Sequence, residues 1–343
     1  MESDTMRHVP LAIEKLLAAI ADLQAAGEYE RSYRRSRELL AAIDEAELDA
    51  DTVCRALIVS ARSAYYVSRF DECAGLLDRC EGEIASTSQP VRRECSVQAD
   101  LIRANMLRRL GKYSEALSLL DESGGEGSTG IQAERLLIAG ACHYYLKNLE
   151  KADEALETAL GLATHLADDR LRSRVFAMMG LAAQGKGLLG SAEEYLTRAR
   201  ELCHARSDAY GEACSRLNLG IVLYRRGRFE EARACIERAR SIFNDIGWSM
   251  GECRSLLARG NVEKFRRNTP EAKRYYVKAL KIARVHGFVR EQALAHEFLG
   301  ELEVVGGRFE SALERYRESL KLALSSGPAR DIEVEVHLSL IHI

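Results

Sequence analysis

Leu219-Gly220-Ile221-Val222-Leu223-Tyr224-Arg225-Arg226-Gly227-Arg228-Phe229-Glu230-Glu231-Ala232 is the stretch on which the reading of the chain turns. Leu219 and Leu223 before the Arg226-Gly227-Arg228 turn, and Ala232, Ile236 and Ala239 after it, recur at helical spacing. The spacing predicts two amphipathic helices over about 211–225 and 229–243. Gly220 and Ala232 are small where those helices would cross. A larger side chain there would hold the backbones apart, and such overpacking costs roughly 1 to 3 kcal/mol. Outward from this pair, glycines recur at 140, 180, 220, 260 and 300, and Ala152, Ala192, Ala232, Ala272 and Ala312 follow twelve residues after each. A fixed period of this kind is the signature of stacked repeats rather than of a single globular core.

Towards the N-terminus the lattice loosens. Ile20, Ala61 and Ala104 take the glycine's place, so the steps leading to Gly140 are 41, 43 and 36 residues. The organisation expected is one repeat array over 1–337. It has a less regular part at 11–121, a flexible loop at 122–130 and regular repeats of 40 residues at 131–327; a ninth repeat starts at 330–337. Ser123-Gly124-Gly125-Glu126-Gly127-Ser128 is the low-complexity core of that loop. Beyond it all, Leu338-Ser339-Leu340-Ile341-His342-Ile343 places Leu340 on the small position and resembles the translation of a transposon mosaic end. A non-native tail at 338–343, on a natural chain cut near His337, is the expectation.

Composition narrows the function. The chain has 343 residues, 47% hydrophobic and 29% charged, with four prolines and a net charge of -3, which demands no nucleic-acid partner. Thr269-Pro270-Glu271 reads as a helix start, with an N-cap hydroxyl, proline at the first helical position and a carboxylate at the positive end. The nine cysteines are odd in number and without a CxxC pair, so reduced packing residues are expected, a zinc site or disulfide framework being the alternative. There is no basic leader followed by an apolar core and no run of about 18 apolar residues, which predicts a soluble cytoplasmic protein. Gly185-Lys186-Gly187-Leu188-Leu189-Gly190-Ser191 lacks the order of a phosphate-binding loop, and the eight histidines form no HExxH and no metal-ligand pair. No catalytic residue, cofactor or metal is therefore expected, and the protein is not read as an enzyme.

Small-Leu-Gly, an aromatic or Leu before the second helix, then Ala, a large residue four on and Ala again resemble the tetratricopeptide (TPR) pattern. The period exceeds that family's usual length of about 34 residues. Six extra residues would add about 9 Å of helix or fill a longer connection. The resemblance implies an all-α, right-handed superhelix, an α-solenoid of about eight helix-turn-helix repeats, that binds a protein or peptide in a groove lined by its first helices. The family's groove positions fall here on Arg62, Tyr65 and Tyr66; on Asn105, Arg108 and Arg109; on Tyr144 and Tyr145; on Tyr224 and Arg225; and on Arg254, Asn261, Lys264 and Phe265. Aromatic and Arg side chains carry binding energy at interfaces, although several of these tyrosines could equally pack between neighbouring first helices. The peptide-carboxylate clamp of some TPR domains is not met, since its positions hold Leu17, Ile58, Leu101, Leu137, Ala177, Leu217 and Leu257.

Between Lys264 and Arg290 the chain carries nine Lys and Arg against Glu271 alone, a patch for an acidic partner or simply a solvated helix face. The run Ala295-His296-Glu297-Phe298-Leu299-Gly300-Glu301-Leu302, with Gly307-Arg308-Phe309-Glu310-Ser311-Ala312-Leu313-Glu314-Arg315-Tyr316, resembles the TPR regions of bacterial sigma-54-dependent and LuxR-type transcription regulators. That resemblance implies a sensory region in signal transduction whose output domain is missing here; a stand-alone adaptor is the alternative. Neither direct nucleic-acid binding nor membrane association is expected of this segment. Self-association stays open, because a terminal repeat without a polar cap presents an apolar face.

Overall fold

The computed structural model describes residues 2–46, 48–123 and 128–325. The predicted ninth repeat at 330–337, the tail at 338–343 and the middle of the 122–130 loop lie outside the described residues. Within them the chain forms sixteen α-helices in eight hairpins. These pair α1 (Glu2–Ala25) with α2 (Tyr29–Glu45), α3 (Ala50–Tyr66) with α4 (Phe70–Ile84), α5 (Gln89–Arg109) with α6 (Tyr113–Glu122) and α7 (Thr129–Tyr145) with α8 (Leu149–His165). Then follow α9 (Asp169–Gly185) with α10 (Leu189–Ala205), α11 (Ala209–Arg225) with α12 (Phe229–Asp245), α13 (Ser249–Phe265) with α14 (Thr269–His286) and α15 (Val289–Val305) with α16 (Phe309–Ser325). Among the described residues the fold is all-α, the two helices of each hairpin packing on one another, as the glycine lattice predicts. The chain divides into two compact units, one of residues 1–175 with 203–209 and the other of 176–202 with 210–343.

The long period is spent in helix. From α7 onward the helices have 17 residues, 18 in α14, and the connections between them are two or three residues long. Each connection inside a hairpin closes the same way. Gly27, Ser68, Gly111, Lys147, Gly187, Gly227, Arg267 and Gly307 all have φ between 61° and 78°. The next residue's N–H then reaches back five positions, as from Arg228 to the Leu223 carbonyl at 2.9 Å and from Arg308 to the Glu303 carbonyl at 2.9 Å. This is the helix stop that satisfies the last carbonyls, and glycine takes it without Cβ strain. Ser68, Lys147 and Arg267 take it as ordinary L-residues. The Thr269 reading shifts by one: Thr269 is already helical and Asn268 stands at the cap, where its side chain donates to Glu263 (3.4 Å) instead of capping.

The glycine lattice is a set of helix crossings. A Cβ built on Gly140 would lie 2.8 Å from Leu156, on Gly180 2.6 Å from Leu196 and on Gly220 2.5 Å from Ile236. On Gly260 it would lie 2.2 Å from the Tyr276 ring and on Gly300 2.8 Å from the Tyr316 ring. In each hairpin the large residue of the second helix therefore sits against the bare backbone of the first. The alanines twelve residues after these glycines are buried in every case. Around these crossings the first unit buries Ile13, Ile20, Leu39, Leu57 and Leu77, and the second buries Leu256, Tyr276, Leu280 and Leu299.

The cysteines are free thiols, seven buried and Cys214 and Cys235 half-buried. Burial pushes the Cys73 and Cys253 thiols up to about 12, so they pack as small apolar groups. One buried titratable group is less comfortable. His296 in α15 is 4% exposed and its Nδ1 has no hydrogen-bond partner. Arg284 of α14 lies 3.4 Å from its Nε2, and Arg315 and Glu318 of α16 face it as well. Burial first, then Arg315 and Arg284, bring its pKa down to about 4.

Substitution of the crossing glycines should separate them from idle ones. Gly260→Ala meets a tyrosine ring held by the 2.7 Å hydrogen bond from its OH to Asn261. It should lower stability by roughly 1 to 3 kcal/mol in urea unfolding. Gly161→Ala in α8, with nothing within 4 Å, should raise stability by roughly 0.5 to 1 kcal/mol. Equal effects of the two would contradict the crossing role.

His296 sets an acid dependence. Its ordinary value near 6.5 returns on unfolding, so between pH 6.5 and 4 the unfolded chain takes up a proton that the folded chain refuses. Its contribution is full above that window, falls as the pH falls through it and is gone below, amounting to about 3 kcal/mol. His296→Gln should lose measurably less stability than the parent between pH 7 and 4.5; parallel losses would contradict the assignment.

Candidate functional site

In the first unit the exposed faces of α3, α5, α7 and α9 converge on one cluster. Arg170, at the start of α9, donates from Nη2 to the Tyr66 hydroxyl at the end of α3 (3.3 Å). This contact passes over the two first helices that lie between them in sequence, so the face curves inward. Tyr66 stacks on Tyr29 with centroids 3.9 Å apart. Beside them Arg174 Nη1 bonds Glu134 Oε1 at 2.5 Å, and Arg62 Nη2 bonds Gln98 Oε1 at 2.5 Å. Burial pushes the Glu134 carboxyl up, but Arg174, then Arg62 and Arg170, hold it below the usual carboxylate range. Gln98, Glu134, Arg174 and Arg254 occupy one lattice position, six residues before the small residue of their repeats.

Two other candidates of this unit, Tyr65 and Arg109, brace the fold. Tyr65 is buried in the core, edge-on to Tyr66. Arg109 lies over the Tyr65 and Phe70 rings, and its guanidinium donates to the Tyr65 carbonyl (3.1 Å) and to Ser68 Oγ (2.8 Å) at the strained α3–α4 turn. Asn105 is held by its own helix through the Leu101 carbonyl and accepts from Arg108 at 3.3 Å. Tyr144 packs edge-on to Tyr145, which is 42% exposed and stacks on Tyr113.

In the second unit the first helices are laced together by charge. Arg254 of α13 donates from Nε to Glu291 of α15 at 2.8 Å, and Lys264 of α13 pairs with Glu301 of α15 while lying over the Phe298 ring. Burial works against the Arg254 charge and Glu291 more than offsets it. Tyr224 is buried against Phe265, its hydroxyl pushed up by burial, and Asn261 accepts from Tyr276. Arg225 is exposed and reaches the Gln184 carbonyl (3.3 Å). Several residues of the basic run are paired: Lys273 with Glu303, Arg274 with Glu271, Arg266 with Glu230 and Lys264 with Glu301.

Sequence reasoning passed over Arg170, Arg174 and Glu134, although their share of Arg254's lattice position was a usable signal for the last two. It also missed a buried ion cluster. Arg259, 2% exposed, donates to Glu263 and Glu237 at 3.0 Å each and lies over Tyr275. It stands where neighbouring repeats place Leu219 and Leu299, so the apolar pattern gave no warning.

Stacked helical hairpins with polar side chains on their first-helix faces define a class of repeat protein. Residues 171–245 and 211–284 match the tetratricopeptide repeat family, and the fold is that of a tetratricopeptide-repeat solenoid. The structure resembles a Rap protein solved with the competence and sporulation factor, at 15% identity and a TM-score of 0.68, over 96% of this chain and 93% of that one. It also resembles NprR solved with its cognate peptide NprX, at 13% identity and a TM-score of 0.60, over 97% and 98% of the two chains. A third is a signal-transduction ATPase with a tetratricopeptide repeat sensor from Pyrococcus horikoshii, at 16% identity and a TM-score of 0.58, over 91% of this chain and 52% of that one. No curated protein sequence matches the chain. Among the described residues no helix is long and apolar enough to cross a membrane.

The two kinds of arginine should part on substitution. Arg254→Ala strips the 3%-exposed Glu291 side chain of its ion pair and should lower the melting temperature by several degrees. Arg225→Ala, on an exposed side chain, should leave it unchanged within about a degree. A silent Arg254→Ala would show that the pair is not structural.

Proposed function

We propose that this chain is a non-catalytic binding scaffold that takes an extended peptide or protein segment along the face of its first helices. We propose further that it is the cytoplasmic sensory region of a bacterial transcriptional regulator. The observation that carries the binding reading is the inward-curving face of the first unit, where Arg170 meets Tyr66 across two intervening first helices. A curved face lined by arginine and tyrosine offers both planar hydrogen bonding and aromatic contact, the chemistry that dominates protein–peptide recognition. The regulator reading draws support from the company of the fold: a Rap protein solved with the competence and sporulation factor, NprR solved with its cognate peptide, and an ATPase whose repeats are called a sensor. A stand-alone adaptor is the second reading, favoured by the match to the Rap protein and NprR along nearly their whole chains.

Selection from a displayed random-peptide library should yield sequences that bind the chain. Their affinity should fall about tenfold on joint replacement of Tyr144 and Tyr145 by Ala, with the melting temperature nearly kept. Equal loss of affinity and stability would make these tyrosines core residues and contradict the binding role. The gene's reading frame past the codon for His337 separates the two readings: a frame running on into a DNA-reading module supports the regulator, and a stop supports the adaptor.

A further inference from the structure

The arginine cluster of the first unit is out of charge balance. Arg62, Arg170 and Arg174 are all half-buried, and Glu134, also half-buried, is the carboxylate among them. Glu134 is taken by Arg174, whose side chain is 32% exposed against 34% for its partner. Among the described residues Arg62 and Arg170 hydrogen-bond to neutral groups, the Gln98 side-chain carbonyl and the Tyr66 hydroxyl, and feel Glu134 without pairing with it. A guanidinium carries five N–H donors in a planar fork, so most of theirs are unfilled. Withdrawing a cation from water without a counter-charge is costly. These two cations share the single Glu134 charge with Arg174, and an arriving anion would supply the counter-charge that neither holds in an ion pair of its own. The stacked Tyr29–Tyr66 pair, with Tyr66 itself bonded to Arg170, sets a flat aromatic wall against the same spot.

We infer that Arg62 and Arg170, walled by Tyr29 and Tyr66, form an anchoring site for a carboxylate of the bound peptide. The site rests on the peptide-binding reading above and gives it a chemistry. The planar fork matches a carboxylate with two parallel hydrogen bonds, and the aromatic wall suits the adjoining peptide plane or side chain. Glu134 sharpens the choice. By pairing with Arg174 it leaves Arg62 and Arg170 without an ion pair of their own, and it repels the anion from the Arg174 side. The carboxylate can be the peptide's own C-terminus or an Asp or Glu side chain, since both present the same planar group.

Fluorescein-labelled heptapeptide pools test the site on the full chain. Each pool contains either Asp and Glu or their Asn and Gln counterparts, ending in a free carboxylate or an amide. Fluorescence polarisation should show tighter binding of carboxylate-bearing pools, with the amidated and Asn/Gln arms telling which carboxylate is used. The double variant Arg62→Gln, Arg170→Gln should weaken that binding about tenfold or more and flatten its salt dependence. Its melting temperature should nearly hold, because both side chains are half-buried and bonded to neutral groups; Arg37→Gln, on the exposed face of α2, should change nothing. Acidic and neutral pools bound equally well, or acidic pools bound undiminished by the double variant, would overturn the anchor and leave peptide binding standing. Failure of every pool to bind the parent chain would overturn both.

Discussion

A side chain missing at one point in each of the last five hairpins is the constraint on which the regular part of this structure depends. Gly140, Gly180, Gly220, Gly260 and Gly300 let a Leu, Ile or Tyr of the following helix settle onto backbone at distances no Cβ would permit. Close approach at one point fixes the angle and register of the two helices around it. The left-handed residue that ends each first helix fixes the turn between them. With crossing and turn both set, successive hairpins repeat at 40 residues, and every first helix turns the same positions outward.

That regularity is what gives the first-helix faces their chemistry. Neighbouring first helices are brought together, so side chains 36 to 40 residues apart meet: Arg62 with Gln98, Glu134 with Arg174, Arg254 with Glu291. Most charges on these faces are thus satisfied from one repeat to the next, stiffening the surface that a ligand would meet. Arg62 and Arg170 are held in place on one curved face but hydrogen-bonded to neutral oxygens. A surface built from repeats concentrates its unmet demand where the repeats differ, and the less regular first unit is where this chain's repeats differ most.

The fold was legible because its signals are local and periodic. The glycine and alanine positions, the turn at Gly227 and helix limits near 225 and 229 all follow from the spacing of small and apolar residues. Where the six extra residues of the period go was open between helix and connection, and the 17-residue helices answer it. The stops at Ser68, Lys147 and Arg267 could not be read, since nothing about those residues announces a left-handed backbone. Arg259 was hidden for the opposite reason: a charge in an apolar position becomes intelligible only when Glu237 and Glu263, on two helices, are seen to surround it. The candidate site was half legible. Lattice position identifies which residues stand on the first-helix face but not where a long side chain ends, so Arg109 turns back to brace a turn while Arg170 crosses to Tyr66.

The crossing itself can be measured by a double-mutant cycle on Gly260 and Tyr276. If the two are one contact, Gly260→Ala destabilises the parent but far less so a Tyr276→Leu background, where a leucine stands as Leu156 does against Gly140. A coupling energy of about 1 kcal/mol or more is the result expected. Additive effects, with the alanine equally harmful in both backgrounds, would mean that the helices are not held apart or together at this point, and the account of the repeat would fail with it.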